Sequence, residues 1–147
     1  MGYCNMGGSV YIRDLTNYGN VSGREYVGGI AGVVRDYVSN GINAYTCTLE
    51  RLLNYGYVRG QGSHIGGHIG LCTGEADGIG GSMSFYVYDC VNEGDIQGIS
   101  SVGGSIGCFD YQSAYRVSIK IEDCYTHGKV NMEEYGALVG NYANKRD

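Results

Sequence analysis

The sequence lacks the features that mark several common classes of protein. Acidic residues outnumber basic ones, 15 to 10, and the formal net charge is -5. This balance argues against a nucleic-acid partner, because a phosphate backbone attracts basic surfaces. No run of about 18 apolar residues is present, so no membrane insertion is predicted. The first residues contain neither a basic region nor a long apolar stretch, so no export signal is predicted within this chain.

Motifs of common active sites and metal centres are also missing. The sequence has no G-x-S-x-G, no G-x-x-x-x-G-K-[ST] and no H-E-x-x-H. The six cysteines form no C-x-x-C pair, which argues against a zinc ribbon. His64 and His68 have the spacing of a helical metal pair, but two glycines separate them in a strand-like context. We therefore predict no catalytic residue, no metal ligand and no cofactor.

Proline and tryptophan are absent, whereas glycine is abundant, with 27 of 147 residues. A high glycine content can indicate disorder, but here 43% of the residues are hydrophobic and the glycines recur at a fixed period. This combination favours ordered β structure with many tight turns. The length suits a single domain over residues 1–147.

One order of residues occurs four times along the chain: a short alternating segment, a turn ending in glycine, a single apolar residue and a closing small pair. The marker glycines of the turn are 37, 38 and 34 residues apart. They are Gly19, Gly56, Gly94 and Gly128. Such a period is typical of stacked-repeat proteins.

Alignment of the repeats on the marker glycine gives six columns that are almost wholly apolar. One column contains Val10, Cys47, Phe85 and Ile119, and another contains Val21, Val58, Ile96 and Val130. Apolar positions two residues apart within each segment predict strands. The sequence therefore predicts an all-β fold, a right-handed parallel β-helix of about four coils. Each 34–38-residue repeat would form one coil of about three short strands, with like residues stacked on like.

One predicted corner carries amides that could hydrogen-bond to one another and to the turn backbone. We predict this structural ladder from Asn17, Asn54, Asn92 and Thr126, where the threonine supplies only a hydroxyl. The marker glycines that follow are predicted to take a positive φ.

A second corner carries Asp14, Arg51, Asp89 and Asp123. We interpret it as a column of surface charges. If Asp89 and Asp123 were buried together, the pKa of one carboxyl would rise, as in acid–base catalysis. The segments 33–43, 71–83 and 109–116 do not match between repeats and are predicted to be excursions that could bind partners.

Three cysteines, Cys47, Cys90 and Cys124, fall in apolar columns and are predicted to be buried free thiols. Cys90 and Cys124 are one repeat apart, within reach of a disulfide, but parallel side chains aim poorly for one. The state of Cys72 and Cys108 stays open.

The pattern N-x-G-x-V followed by V-G-G-I-x-G, best seen from Asn17 to Gly32, resembles the Glug motif of large bacterial surface proteins. The resemblance covers nearly the whole chain. It departs in the fourth repeat, where Thr126 and Ala137 replace asparagine and glycine. It implies a β-solenoid segment of a secreted or wall-attached protein, such as an adhesin.

These features predict a non-enzymatic structural or adhesive module on the bacterial cell surface or in an extracellular filament. Host proteins or carbohydrates would bind to exposed tyrosines, for which the candidates are Tyr18, Tyr55, Tyr86 and Tyr88. Neighbouring repeats or a second copy would stack end to end, because from Gly128 to Gly19 of a following copy the register would continue without a break. A carbohydrate-active β-helix enzyme, a carbohydrate-binding module and a viral or phage fibre segment are the alternatives.

Overall fold

A computed structural model describes residues 2–6, 9–38, 44–76, 81–112, 115–131, 135–136 and 139–145. Over these residues the chain forms short strands joined by turns and bends, and no helix is present among them. The prediction that the chain is all-β is confirmed.

The strands follow the sequence repeats. Before the first repeat lies β1 (Tyr3–Met6). The first repeat forms β2 (Val10–Arg13), β3 (Thr16–Asn17), β4 (Val21–Gly23), β5 (Val27–Gly28) and β6 (Ala31–Val38). The second forms β7 (Ala44–Glu50), β8 (Leu53–Asn54), β9 (Val58–Gly60), β10 (Ser63–Gly66) and β11 (Ile69–Ala76). The third forms β12 (Gly81–Tyr88), β13 (Val91–Asn92), β14 (Ile96–Gln97), β15 (Ser100–Gly103) and β16 (Ile106–Gln112). The fourth forms β17 (Tyr115–Glu122), β18 (Tyr125–Thr126), β19 (Val130–Asn131), β20 (Tyr135–Gly136) and β21 (Val139–Lys145).

Every strand pairs with the strand five places away in the chain, which produces five sheets. Sheet 1 has the order β1-β6-β11-β16-β21, and sheet 2 has β2-β7-β12-β17. Sheets 3, 4 and 5 begin with β3, β4 and β5 and continue in the same steps. All pairings among the described strands are parallel. Parallel sheets stacked in register in this way agree with a β-solenoid.

The predicted columns are confirmed as sheet register. Val10 lies opposite Cys47, Cys47 opposite Phe85, and Phe85 opposite Ile119. The column that begins at Val21 continues in the same way through Val58, Ile96 and Val130. Because a slip of one residue would move every apolar side chain to the outer face, the alternation along each long strand fixes this register.

Two sequence-based expectations about the repeat are wrong. Each repeat forms five strands rather than three, because segments of only two residues pair with their neighbours. The segments 33–43, 71–83 and 109–116 are not excursions where the structure describes them. Val34, Cys72 and Phe109 lie opposite one another in sheet 1, so these segments extend the strands of sheets 1 and 2.

The interior contains two separate apolar clusters. The larger one lies between sheets 1 and 2 and includes the wholly buried Leu49, Phe85 and Ile106, with Phe85 and Phe109 in edge-to-face contact at 5.5 Å. The smaller one lies between sheets 4 and 5 and consists of Val27, Val58, Ile65, Ile96 and Val102. Buried polar groups lie between the two clusters.

Candidate functional site

Two of the buried polar groups, Asn54 and Asn92, belong to the asparagine ladder, defined as Asn17, Asn54, Asn92 and Thr126. The Nδ2 atom of Asn17 donates to Oδ1 of Asn54 at 2.8 Å, and Nδ2 of Asn54 donates to Oδ1 of Asn92 at 2.7 Å. Nδ2 of Asn92 donates to the hydroxyl of Thr126 at 3.1 Å. Asn54 and Asn92 are wholly buried, so these hydrogen bonds satisfy amides that have no water to bind.

Each asparagine of the ladder also holds its own turn. The Nδ2 atoms of Asn17, Asn54 and Asn92 donate to the carbonyl oxygen two residues later at 2.6, 2.8 and 2.7 Å. These carbonyls belong to the marker glycines Gly19, Gly56 and Gly94. The asparagine therefore fixes the turn that joins sheets 3 and 4.

The marker glycines do not take the positive φ that the sequence predicted. Glycine is required there because successive turns stack closely. A Cβ added to Gly56 would lie 1.9 Å from the carbonyl oxygen of Gly19, and one added to Gly94 would lie 1.9 Å from that of Gly56. At Gly19, in the first repeat, the nearest atom would be 3.7 Å away.

The closing glycine pairs pack against the ladder from the opposite side of the interior. A Cβ on Gly29 would lie 2.5 Å from Oδ1 of Asn54, and one on Gly67 would lie 2.7 Å from the amide of Asn92. The two halves of the repeat motif therefore contact each other: the closing glycine pair of one repeat packs against the asparagine of the Asn-x-Gly turn in the next repeat. Sequence columns alone did not reveal this contact, because the partners belong to different repeats.

The positive-φ positions lie instead at two other corners. Asp14, Arg51, Asp89 and Asp123 have φ values between 51° and 56°. Tyr26, His64 and Ser101 have φ values of 54°, 63° and 52°. Aspartate adopts a positive φ more readily than arginine or tyrosine does. None of these positions is a glycine, the residue that most often marks a positive φ in a sequence, so the sequence did not reveal either corner.

The charged corner is exposed. Nε and Nη2 of Arg51 donate to the two carboxylate oxygens of Asp14 at 2.6 and 3.0 Å, and this hydrogen-bonded guanidinium holds the pKa of Asp14 below its ordinary value. Arg51 also contacts the carboxylate of Glu50. Asp89 and Asp123 are both exposed, so they do not form the buried carboxyl pair that acid–base catalysis would need.

The four candidate tyrosines lie in two groups. Tyr18 and Tyr55 stack face to face across the first two repeats, with ring centroids 5.2 Å apart and planes 4° from parallel. Tyr18 is 78% exposed, and one face of its ring has no neighbouring repeat over it. Tyr86 and Tyr88 stack at 5.8 Å on the outer face of β12.

His68 is a buried polar residue to which the sequence analysis gave no role. It lies in the column of Ile30 and Ser105, where other repeats place an apolar or hydroxyl side chain. Its Nε2 donates to the carbonyl oxygen of Val91 at 2.9 Å, which leaves Nδ1 to accept from the Ser105 hydroxyl at 3.0 Å. Burial lowers the pKa of His68 to about 4, so the ring is neutral. It bridges the interior from the bend between sheets 5 and 1 to Val91 of sheet 3.

None of the five cysteines whose side chains are described forms a disulfide. Cys47, Cys72 and Cys90 are wholly buried, and burial raises the pKa of Cys72 well above its ordinary value. Cys72 lies opposite Phe109 rather than Cys108, so the register separates the two thiols whose state was open. Cys4 lies outside the residues whose side chains are described.

A shallow groove of about 440 Å³ crosses the outer face of sheet 4. Its lining includes Tyr57, Asp95, Gln97, Lys129 and Asn131. The Tyr57 hydroxyl donates to Oε1 of Gln97 at 2.5 Å, and Asp95 accepts from the backbone N–H of Lys129 at 2.8 Å. The sequence signal for this groove is the column Asn20, Tyr57, Asp95 and Lys129, which was not singled out.

The first and fourth repeats leave apolar columns half-exposed. Val10 and Val21 at the first repeat are only partly buried, and so are Ile119, Ile121 and Val130 at the fourth. The same columns are wholly buried in the second and third repeats, for example at Leu49 and Val58. Further repeats would cover these ends.

Within the described part of the chain, no three His, Cys, Asp or Glu side chains are placed to hold a metal ion, and no helix could cross a membrane. No protein-family model, curated protein or solved structure matches the chain.

Proposed function

We propose that the chain is a non-enzymatic structural repeat module of a bacterial surface protein or extracellular filament, folded as a right-handed parallel β-helix of about four coils. The observation that carries the proposal is the in-register stacking of like side chains through all four repeats. Parallel strands joined by crossovers are right-handed in nearly all proteins, which supports the handedness. Such a rod displays its surface at a regular spacing and buries each repeat against the next.

The resemblance of Asn17 to Gly32 to the Glug motif supports a place outside the cell, on the bacterial surface. The motif residues here are the ladder asparagine, the marker glycine and the closing pair, and all of them serve stacking. Because the motif residues serve stacking, the outward side chains are free to vary, as an adhesive or spacer module requires.

The proposal includes end-to-end assembly, with the fourth repeat of one copy against the first repeat of the next. The half-exposed apolar columns continue across such a junction, since Ile119 would face Val10 and Val130 would face Val21. Charge is complementary as well: exposed Glu122 continues the column that begins at Arg13. Asp123 would face Asp14, but Asp14 already binds the guanidinium of Arg51.

Sedimentation velocity over a range of concentrations tests this assembly. The wild-type chain is expected to self-associate, whereas Gly19→Ala should fold normally and stay monomeric. The added Cβ has room within the chain, but it would meet the carbonyl of Gly128 across the junction, as the Gly94 carbonyl lies 2.0 Å from a Cβ at Gly128. Gly2→Ala, where an added Cβ meets nothing within 4 Å, is the control and should assemble. A wild-type chain that is monomeric at every concentration would overturn the assembly.

The groove on sheet 4 favours a second candidate function, a carbohydrate-binding module. An aromatic ring beside amide, carboxylate and ammonium groups, as at Tyr57, Gln97, Asp95 and Lys129, can both stack on a sugar and hydrogen-bond to its hydroxyls. Calorimetric titration with bacterial and host polysaccharides tests it. Tyr57→Ala should abolish binding while Tyr18→Ala retains it, and the opposite result would move the site to the Tyr18–Tyr55 stack. Analysis of the recovered polysaccharide for cleavage would separate binding from an enzymatic role.

A further inference from the structure

The five sheets do not end at the same level. Sheet 1 contains five strands, from β1 to β21, whereas each of the other four sheets contains four. At the first-repeat end, β1 therefore extends one strand beyond β2, β3, β4 and β5. At the fourth-repeat end, β21 ends level with β17, β18, β19 and β20.

Because sheet 1 has one strand more than each of the other sheets, two copies cannot stack with the uninterrupted register that the sequence predicted. If β2 of a second copy pairs with β17, rigid placement puts β1 of that copy where β21 of the first copy already lies. If β1 pairs with β21 instead, each of the other four sheets is left with a gap one strand wide. A junction without gaps requires one of the two strands to leave.

We propose that β1 is the strand that leaves, so that β21 of one copy takes the place of β1 on β6 of the next. The inference rests on the end-to-end assembly proposed above and specifies how its partner, a second copy of this chain, is joined. The junction is a parallel strand exchange in which β1 covers the edge of sheet 1 until another copy arrives.

Strand length favours β21 over β1. Strand β1 has four residues and pairs with Val33 to Asp36 of the eight-residue β6. Strand β21 has seven residues, and its register through β16 and β11 places Val139 in the column of Ala31. It would therefore pair with more of β6, and each added pair contributes backbone hydrogen bonds.

The exchange also extends the apolar core. Val139 is partly buried against the larger cluster, in the column of Ile106, Ile69 and Ala31. The pairing of β1 begins only at Val33, two residues beyond Ala31. A junction formed through β21 would thus bury Val139 in the column of Ala31.

Sheets 2 to 5 supply the remaining contacts of the junction. Glu122 would face Arg13, and the Thr126 hydroxyl would donate to the Oδ1 atom of Asn17, which extends the asparagine ladder into the second copy. His127 would continue the stack of Tyr18 and Tyr55 on the exposed face of Tyr18. These contacts form only when sheets 2 to 5 close without a gap, and so they favour the loss of β1.

Hydrogen exchange followed by mass spectrometry on the full chain tests the proposal, with dilute monomer compared with the assembled state. On assembly, exchange at the amides of Tyr3 to Met6 should become about tenfold faster or more, while exchange at Val139 to Lys145 slows by a similar factor. Gly19→Ala is the matched control, because it cannot form the junction and should keep the exchange rates of the monomer at every concentration.

The outcomes separate the strand exchange from the assembly on which it rests. Assembly with unchanged protection of β1 would overturn the exchange and leave end-to-end stacking in place. Absence of assembly at all concentrations would overturn both. Faster exchange at β1 without slower exchange at β21 would also contradict the proposal, because a strand other than β21 would then have displaced β1.

Discussion

At the scale of single residues, the asparagine ladder shows how one side-chain type holds successive repeats together. Each interior amide uses its two N–H groups, one to close its own turn and one to bind the next residue of the ladder. The hydrogen bonds run along the stack and are shielded from water at Asn54 and Asn92, where their loss would leave buried groups without partners.

Asn54→Ala is therefore expected to lower the free energy of unfolding by about 3 kcal/mol, because it removes partners of Asn17, Gly56 and Asn92 together. Asn17→Ala, at the more exposed end of the ladder, should lower it by about 1 kcal/mol. Urea denaturation followed by circular dichroism measures both. Equal effects of the two substitutions would show that burial of the ladder does not matter.

His68 links stability to pH. Its pKa is about 4 in the folded chain, below the ordinary value of 6.5, because burial disfavours the charged ring. The folded state therefore favours the neutral ring, and the resulting stability is fully present above pH 6.5 and is lost as the pH falls towards 4. The unfolding free energy should fall by about 3 kcal/mol over this interval.

Urea denaturation at several pH values checks this dependence in the wild-type chain and in His68→Gln. The substitution should flatten the dependence, because glutamine has no titrating ring. Half-buried His64, whose pKa is lowered by burial, adds a smaller effect of the same sign. An unaltered dependence in His68→Gln would assign the effect to other groups.

At the scale of elements, the short turn between sheets 3 and 4 is shaped by the turn of the preceding repeat. The marker glycine of each turn lies against the carbonyl oxygen of the previous one, as Gly56 does against Gly19. The same residue type is thus needed for contact between turns and not for an unusual φ. Among the described residues, the first turn has no such neighbour, since the nearest atom to a Cβ at Gly19 would be Oδ1 of Asn17 at 3.7 Å.

Gly56→Ala should consequently destabilise the chain by about 3 kcal/mol, because the added Cβ would overlap the Gly19 carbonyl and force the turns apart. Gly19→Ala should leave the unfolding free energy within about 0.5 kcal/mol of the wild-type value. Thermal unfolding of the two variants compares the same chemical change at two levels of the stack. A severe effect at Gly19 would contradict this account of the turns.

The sequence predicted the repeats, the apolar columns and their register, since these depend on a residue class that recurs at one place in each repeat. It did not predict the strands of two residues, such as Leu53–Asn54, because two residues are too few to show alternation. It also missed the left-handed corner at Arg51 and the contact of Gly67 with Asn92. The corner and the contact both depend on how adjacent repeats pack, and this packing cannot be predicted from the sequence of a single repeat.

At the scale of the whole molecule, the proposed junction brings one oppositely charged pair of side chains together across the two ends. In the proposed junction, Glu122 of one copy lies beside Arg13 of the next. Both side chains are exposed, and one such pair contributes only modestly, but a like-charge pair in its place opposes association. Charge reversal therefore separates assembly from folding.

Arg13→Glu and Glu122→Arg are each expected to associate about tenfold more weakly than the wild-type chain, because each puts like charges at every junction. An equimolar mixture of the two variants should recover association, since every mixed junction again pairs opposite charges. Sedimentation velocity measures all three samples, and circular dichroism confirms that each variant is folded. If the mixture behaves like its separate components, these residues do not meet.

The central claim is that each repeat pairs in parallel and in register with the next. Scalar couplings across hydrogen bonds, measured by NMR on the isotopically labelled chain, test it most directly. The account predicts couplings from the amide nitrogen of Leu53 to the carbonyl carbon of Leu15, from Val91 to Leu52 and from Tyr125 to Cys90. Couplings that instead join these amides to strands of their own repeat, or that follow an antiparallel order, would contradict it.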